Sequence, residues 1–316
     1  MQQATRSEPA KDRVDSLTLV TGATGSQGGA TASALLAAGH RVRVLARDPG
    51  SPQALALASR GAEIARGDFD DAASLAAALR GISAVFSVQL PDAHGTDAER
   101  RHGYALVKAA REAGVRHYVH TSVCEAGRHT GFPRWQSGYW WQKYWTDKWD
   151  VEQAVRDAGF ERLTVLRPAF LMDNFAQPKA QFMFPHLRQG QLLAALLPTT
   201  RLQLIAADDV GAFACAAIDH PARFDRTHIE LAAEALTLEE IAAALSRGTR
   251  KQISARSVTP EEARAAGLFA GWIRSQEWTN EVGYRADIAS LGSYGMPLTS
   301  FSNWIERHVH EIVIET

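Results

Sequence analysis

From Leu17 to about Leu166, short β-branched or apolar runs alternate with Ala- and Leu-rich stretches of helical period. That rhythm is the pattern of repeated βαβ units, in which strands buried on both faces form a parallel sheet with helices on either side. The runs Leu17–Thr21, Val42–Ala46, Glu63–Arg66, Ala84–Val88, His117–Thr121 and Leu163–Leu166 are the expected strands. Helices are expected at Ser26–Ala38, Asp71–Arg80 and Asp97–Ala113. Each is closed by a glycine (Gly39, Gly81, Gly114), where a left-handed helix stop is least costly. Beyond Arg167-Pro168 the segments become longer and irregular, broken by Pro178, Pro185, Pro198, Pro221, Pro260 and Pro297. Within that part, Leu202–Ala206, Asp208–Ile218 and His228–Leu231 still read as strand, helix, strand, and are expected to return to the main sheet. The fold class is therefore α/β, a doubly wound parallel sheet with a smaller C-terminal α/β lobe.

Composition narrows the classes of partner. The 316 residues include 46% hydrophobic and 22% charged positions, the profile of a folded chain with a large core. Lysine plus arginine total 34 against 35 acidic residues, so the net charge of -1 offers no basic field for nucleic acid. Two cysteines, Cys124 and Cys215, make no disulfide framework, and the eleven histidines are dispersed, so no metal site is expected. Residues 1–15 read as a loose polar tail with neither a signal peptide nor an anchor, and the apolar run Leu192–Leu197 is far short of a membrane span. A soluble cytoplasmic protein without nucleic-acid or membrane partners is expected; the oligomeric state is left open.

Gly22-Ala23-Thr24-Gly25-Ser26-Gln27-Gly28 directly follows the first strand and opens the first helix. In that context the three glycines are a dinucleotide loop: Gly22 for the sharp turn, Gly25 for close approach of backbone to a pyrophosphate, Gly28 for close helix packing. Residues 16–170 are thus read as a Rossmann-type dinucleotide-binding domain with 200–232 returning to it, and 171–199 with 233–316 as the substrate lobe. Ser26 and Gln27 add side-chain contacts. At the end of the second strand, Arg47 favours the extra phosphate of NADP(H), with Arg43 as a helper, while Asp48 keeps NAD(H) open. Asp68 is a candidate for the adenine ring, and Asp70 is read as the cap of the helix beginning at Asp71.

Tyr144 and Lys148 stand four apart on a segment, Gly138–Ala158, that reads as a helix, so both side chains emerge on one face. Chance predicts only about 0.1 Tyr-x-x-x-Lys pairs in a chain of this composition. An adjacent ammonium is expected to lower the phenol pKa and make Tyr144 a proton donor or acceptor near neutrality, with Lys148 also holding the nicotinamide ribose. Ser122, at the end of the fifth strand, completes a Ser-Tyr-Lys set by hydrogen-bonding a substrate oxygen.

With these residues, together with Gly29, Arg167-Pro168-Ala169-Phe170 and Asp173-Asn174-Phe175, the chain resembles the short-chain dehydrogenase/reductase superfamily over residues 16–232. It resembles most its atypical NmrA-like branch. The resemblance implies NAD(P) binding and, for Ser122, Tyr144 and Lys148, reductase or dehydrogenase chemistry. Cofactor contacts are expected from the glycine loop, Arg47, Asp68, Phe69, Val88, Gln89, Thr121, Lys148, Pro168 and Phe170. The asparagine element common after the fourth strand of ordinary reductases is replaced here by Phe86-Ser87-Val88-Gln89-Leu90. From Trp135 to Trp149 lie seven aromatic residues; Trp141, Trp145 and Trp149, at steps of four, read as a core stripe or subunit contact, and the alternative reading has the cluster, with Trp135 or Trp140, lining a pocket for an apolar or aromatic substrate. By resemblance Phe170, Met172, Asn174 and Phe182 form the opposite wall. The leading expectation is an NADPH-dependent reductase of a ketone, quinone or imine; a non-catalytic NADP(H) sensor and an NAD-dependent epimerase or dehydratase are the alternatives.

Overall fold

A computed structural model describes residues 16–91 and 95–315; the expected N-terminal tail lies outside them. The first half runs β1 (Leu17–Val20), α1 (Ser26–Ala37), β2 (Arg41–Ala46), α2 (Pro52–Ala58), β3 (Glu63–Arg66), α3 (Ala72–Ala78), β4 (Ala84–Ser87), α4 (Ala98–Glu112), β5 (His117–Thr121), α5 (Gln142–Asp157) and β6 (Arg162–Pro168). It continues through β7 (Phe170–Leu171), α6 (Ala180–Met183), β8 (Gln191–Ala194), β9 (Leu202–Ile205), α7 (Ala207–Asp219), α8 (Pro221–Phe224) and β10 (Thr227–Leu231). The chain ends with β11 (Glu234–Leu236), α9 (Leu238–Thr249), β12 (Ser254–Ser257), α10 (Pro260–Ala265), α11 (Ala270–Glu281) and α12 (Phe301–His308).

Seven parallel strands form the main sheet in the order β10-β6-β5-β4-β1-β2-β3. The chain grows outward from β1 in one direction and restarts beside it at β4, so the carboxyl ends of β1 and β4 flank the switch point where ligands bind in such sheets. Period-2 alternation assigns each strand residue to a face. Val20, Val44, Phe86, Val119 and Leu166 pack under α1 and α7, whereas Leu19, Leu45, Val85, Tyr118 and Val165 pack under α3, α4 and α5. Burial of β1, β4 and β5 along their whole length follows from this double cover.

The second lobe has its own core, built on Phe175, Phe184, Leu192, Leu245, Trp272, Phe301 and Trp304. Thr237 with Glu240 and Thr259 with Glu262 close capping boxes at the starts of α9 and α10, fixing where those helices begin. Of the segment expected to rejoin the main sheet, Thr227–Leu231 does so as its edge strand. Leu202–Ile205 instead pairs parallel with β7 and antiparallel with β11 in a three-stranded sheet. The reason lies in its neighbours: Leu202 and Leu204 are drawn into the second lobe's core. Among the described residues no helix is long and apolar enough to cross a membrane.

Candidate active site

The glycine loop is built from backbone. Gly22 adopts φ +62°, in the left-handed region that a side chain disfavours, and Gly25 N–H closes the turn on Gly22 O at 2.9 Å. A Cβ on Gly28 would stand 2.3 Å from Gly22 O, so the helix start meets the loop only without a side chain. No side chain caps the first turn of α1, leaving its N–H groups directed at the space beyond the sheet. Val88 seals the loop from the β4 side: its N–H donates to Thr21 Oγ1 at 3.0 Å and its side chain occupies the space a Gly22 Cβ would need. Along the same carboxyl edge, the hydroxyls of Thr121 and Ser122 and the Gln27 Oε1 are buried without a hydrogen-bond partner among the described residues. A cradle that a Cβ would fill, rimmed by orphaned polar atoms, fits a bound dinucleotide.

The expected adenosine-end residues separate into free and engaged groups. Arg47 is exposed at the end of β2, while Asp48 Oδ1 accepts the Gly50 N–H at 2.9 Å and so serves a local turn. Arg43, expected as a helper, is committed elsewhere, donating to Ala78 O and Arg80 O at 2.8 Å and pairing with Glu63. Asp68 Oδ1 accepts the Asp70 N–H at 3.0 Å, and Phe69 stacks on His102 with ring centroids 5.2 Å apart. The helix cap is Asp71, one residue later than expected, bonding Ala73 N and Ser74 N; Asp70 instead meets Arg101 and His102. Gln89 is buried, with its Nε2 donating to Ser87 Oγ at 3.0 Å.

The helix that carries Tyr144 and Lys148 begins at Gln142, later than the expected Gly138, because the preceding residues form a short 3-10 turn, Trp135–Ser137, ended by Gly138. Tyr144 and Lys148 share one face, with the Lys148 ammonium 5.2 Å from the centre of the Tyr144 ring. The ammonium makes its hydrogen bond elsewhere. It donates to Glu99 Oε1 of α4 at 2.6 Å, in an ion pair whose two side chains are almost wholly buried. This corrects the expected electrostatics. Burial, and then the charge of Glu99, hold the Tyr144 hydroxyl well above its ordinary range, so it stays protonated at neutral pH. Burial likewise raises Glu99, outweighing the lowering effect of Lys148. Glu99 was invisible to spacing arguments because it lies 49 residues from its partner. The one signal was chemical: a lysine on the inward face of a helix needs a counter-charge, and Asp147 on its own helix is taken by Lys143 at 2.7 Å.

Aromatic rings enclose Tyr144. Trp145 packs edge-on to it at 5.3 Å and against Trp278 of α11 at 4.7 Å, and Phe132, Trp135 and Trp140 complete a buried cluster with Val123. The Trp145 position is a core contact, as the stripe predicts. Trp140 also lines a cavity of about 230 Å³ with Tyr139, Trp141, Arg264, Arg274 and Glu277. Tyr139 is immobilised there, its hydroxyl donating to Glu277 at 2.5 Å and its ring held between the guanidinium groups of Arg134 and Arg274 at 3.7 and 3.8 Å. Tyr284, not singled out in the sequence, packs on Trp278 and on this cluster; burial foremost, then Tyr144, raises its hydroxyl. The expected opposite wall is dispersed. Phe170 stacks on Trp272 at 5.1 Å and Met172 is fully buried in the second lobe, Asn174 is half-buried, and Phe182 is 68% exposed on α6.

Comparison with known proteins agrees with this architecture. The profile of the NmrA-like family matches residues 14–294. The chain is 30% identical over 309 residues to (4-alkanoyl-5-oxo-2,5-dihydrofuran-3-yl)methyl phosphate reductase of Streptomyces griseus, covering 94% of this chain and 99% of that protein. It is 30% identical over 256 residues to NAD(P)H azoreductase of Xenophilus azovorans, covering 78% and 79%. Among solved structures it is similar to the Citrobacter sp. triphenylmethane reductase complexed with NADP(H), with a TM-score of 0.74, 21% identity, and 93% and 99% coverage. The chain belongs to the NmrA-like family and has its Rossmann-type NAD(P)-binding fold.

Proposed function

We propose that this protein is an NADPH-dependent oxidoreductase that reduces a carbonyl-type acceptor, a ketone, quinone or imine on an apolar or aromatic small molecule, with Tyr144 as the proton donor. The observation that carries the reading is the placement of Tyr144: a phenol on a recess it shares with Glu99 and Trp141, packed against an aromatic cluster and one helical turn from Lys148. A protonated phenol suits reduction, in which the acceptor oxygen or nitrogen must gain a proton as it gains hydride. A bound reduced nicotinamide supplies that hydride. The chain's residues do the rest. Gly22–Gly28 hold the phosphates, Ser122 directs its unpartnered hydroxyl to the developing anion, and the Glu99–Lys148 pair fixes the helix face that presents Tyr144. Arg47 supports the phosphorylated cofactor, since it is exposed and the Asp48 carboxylate beside it is occupied by its own turn. The relatives named above, reductases of a furan phosphate ester and of azo compounds, support small conjugated acceptors.

The test is to follow NADPH oxidation against a panel of quinones, enones, imines and azo compounds in the parent and in Tyr144→Phe. Turnover that is lost in the variant while NADPH still binds supports the mechanism. Unchanged turnover sinks it, and cofactor binding with no turnover on any acceptor would favour the sensor reading, for which the replaced asparagine element is the supporting observation.

A further inference from the structure

The glycine loop is approached from the second lobe by a cation. Lys179, just after the Met172–Phe175 turn, donates from Nζ to Ser26 Oγ at 2.9 Å across 153 residues of sequence. Ser26 is the first residue of α1, and the start of a helix already carries about half a positive charge. Two positive groups therefore meet at one neutral hydroxyl. Asp173 is the nearby opposite charge, yet it makes no ion pair with Lys179 and spends one oxygen on the Ala207 N–H at 2.9 Å. Burial accordingly depresses the Lys179 pKa, with Asp173 opposing. A half-buried ammonium placed against a positive helix end gains from an anion that can bridge it to the free N–H groups.

We infer that Lys179 is a phosphate-binding residue, whose ammonium passes from Ser26 Oγ to the pyrophosphate of the bound dinucleotide and so ties the second lobe to the cofactor. The inference requires only that a dinucleotide binds, and stands whether or not Tyr144 is the proton donor.

Titration of the full-length protein with NADPH and with adenosine 2′-monophosphate, which has no pyrophosphate, separates the alternatives. Lys179→Met is expected to raise the NADPH dissociation constant about tenfold or more, Lys179→Arg to stay within about threefold, and both to bind the monophosphate within about twofold of the parent. Lys179→Gln gives the same reading should the methionine variant fold poorly. An NADPH constant within about twofold of the parent in the neutral variants overturns the inference, as does an equal loss of NADPH and the monophosphate.

Discussion

The glycine loop and the helix that carries Tyr144 each follow a strand of the same sheet, yet they are made in opposite ways. The loop works through main-chain N–H groups and the absence of side chains: Gly22 and Gly28 leave space, and α1 aims its uncapped first turn into it. The helix of Tyr144 presents side chains instead, and these are held by partners from distant parts of the chain. Lys148 is fixed by Glu99 of α4 and Trp145 by Trp278 of α11, while Tyr139, just before the helix, is held by Arg274 and Glu277 of α11. A backbone cradle tolerates change around it as long as the glycines remain. A side-chain constellation fails when any supporting residue is lost.

The strongest way to break this comparison is Tyr144→Phe. Removing one oxygen from the side-chain site is expected to lower kcat/KM about 10²- to 10⁴-fold while the backbone cradle keeps its NADPH affinity, as measured by titration beside steady-state kinetics. With Tyr144 as the proposed donor, its raised pKa is expected to set the pH profile of the parent. The donor form persists throughout the neutral range, so kcat/KM should stay flat from about pH 6 to about pH 9 and fall only in strong alkali.

Next in size is Glu99→Gln. It leaves the Lys148 ammonium buried without a counter-charge, and denaturant unfolding should show a loss of about 3–5 kcal/mol. Because Glu99 also raises the Tyr144 pKa, the alkaline limb of the rate profile should move to lower pH in the same variant, a shift that a purely structural role would not produce.

Arg47→Ala probes the adenosine end. NADPH affinity should fall about tenfold to a hundredfold with NADH affinity little changed, and equal loss of both would return weight to NAD. At neutral pH the smallest effect concerns the strand beneath the site, because it develops only in acid. Burial depresses His117 and His120 to about 4, whereas the unfolded chain takes up these protons near the ordinary value. Both therefore stabilise the fold above about pH 6.5, and each withdraws about 1.4 kcal/mol per pH unit as the pH falls from there toward about 4. Thermal melts of His117→Asn/His120→Asn should show a shallower acid decline than the parent.

How far each region could be read in advance follows its construction. The strands Glu63–Arg66 and His117–Thr121 agree residue for residue with the apolar runs, and Gly39, Gly81 and Gly114 take positive φ after their helices, because local sterics dictate both. The Tyr144–Lys148 spacing likewise places the two on one helix face. What sequence could not provide was the sign of the Tyr144 shift. That depends on which carboxylate the fold brings to Lys148, and Glu99 is chosen by packing of α4 on α5. The second lobe was the least legible, since Leu202–Ile205 carries the same apolar pattern whether it joins the main sheet or the small one, and only the competing core decides. Arg43 and Arg47 sit four apart on and just after one strand, yet only the former finds Glu63 and the Ala78 and Arg80 carbonyls within reach.

The tryptophan cluster has an optical consequence as well. Trp145 touches Tyr144, and Trp278, Trp135 and Trp140 crowd the same volume. A reduced nicotinamide seated at Tyr144 absorbs where these indoles emit. With the cofactor so placed, occupancy of the site would be written into the protein's own ultraviolet emission, and each reduction that oxidises the cofactor would brighten it.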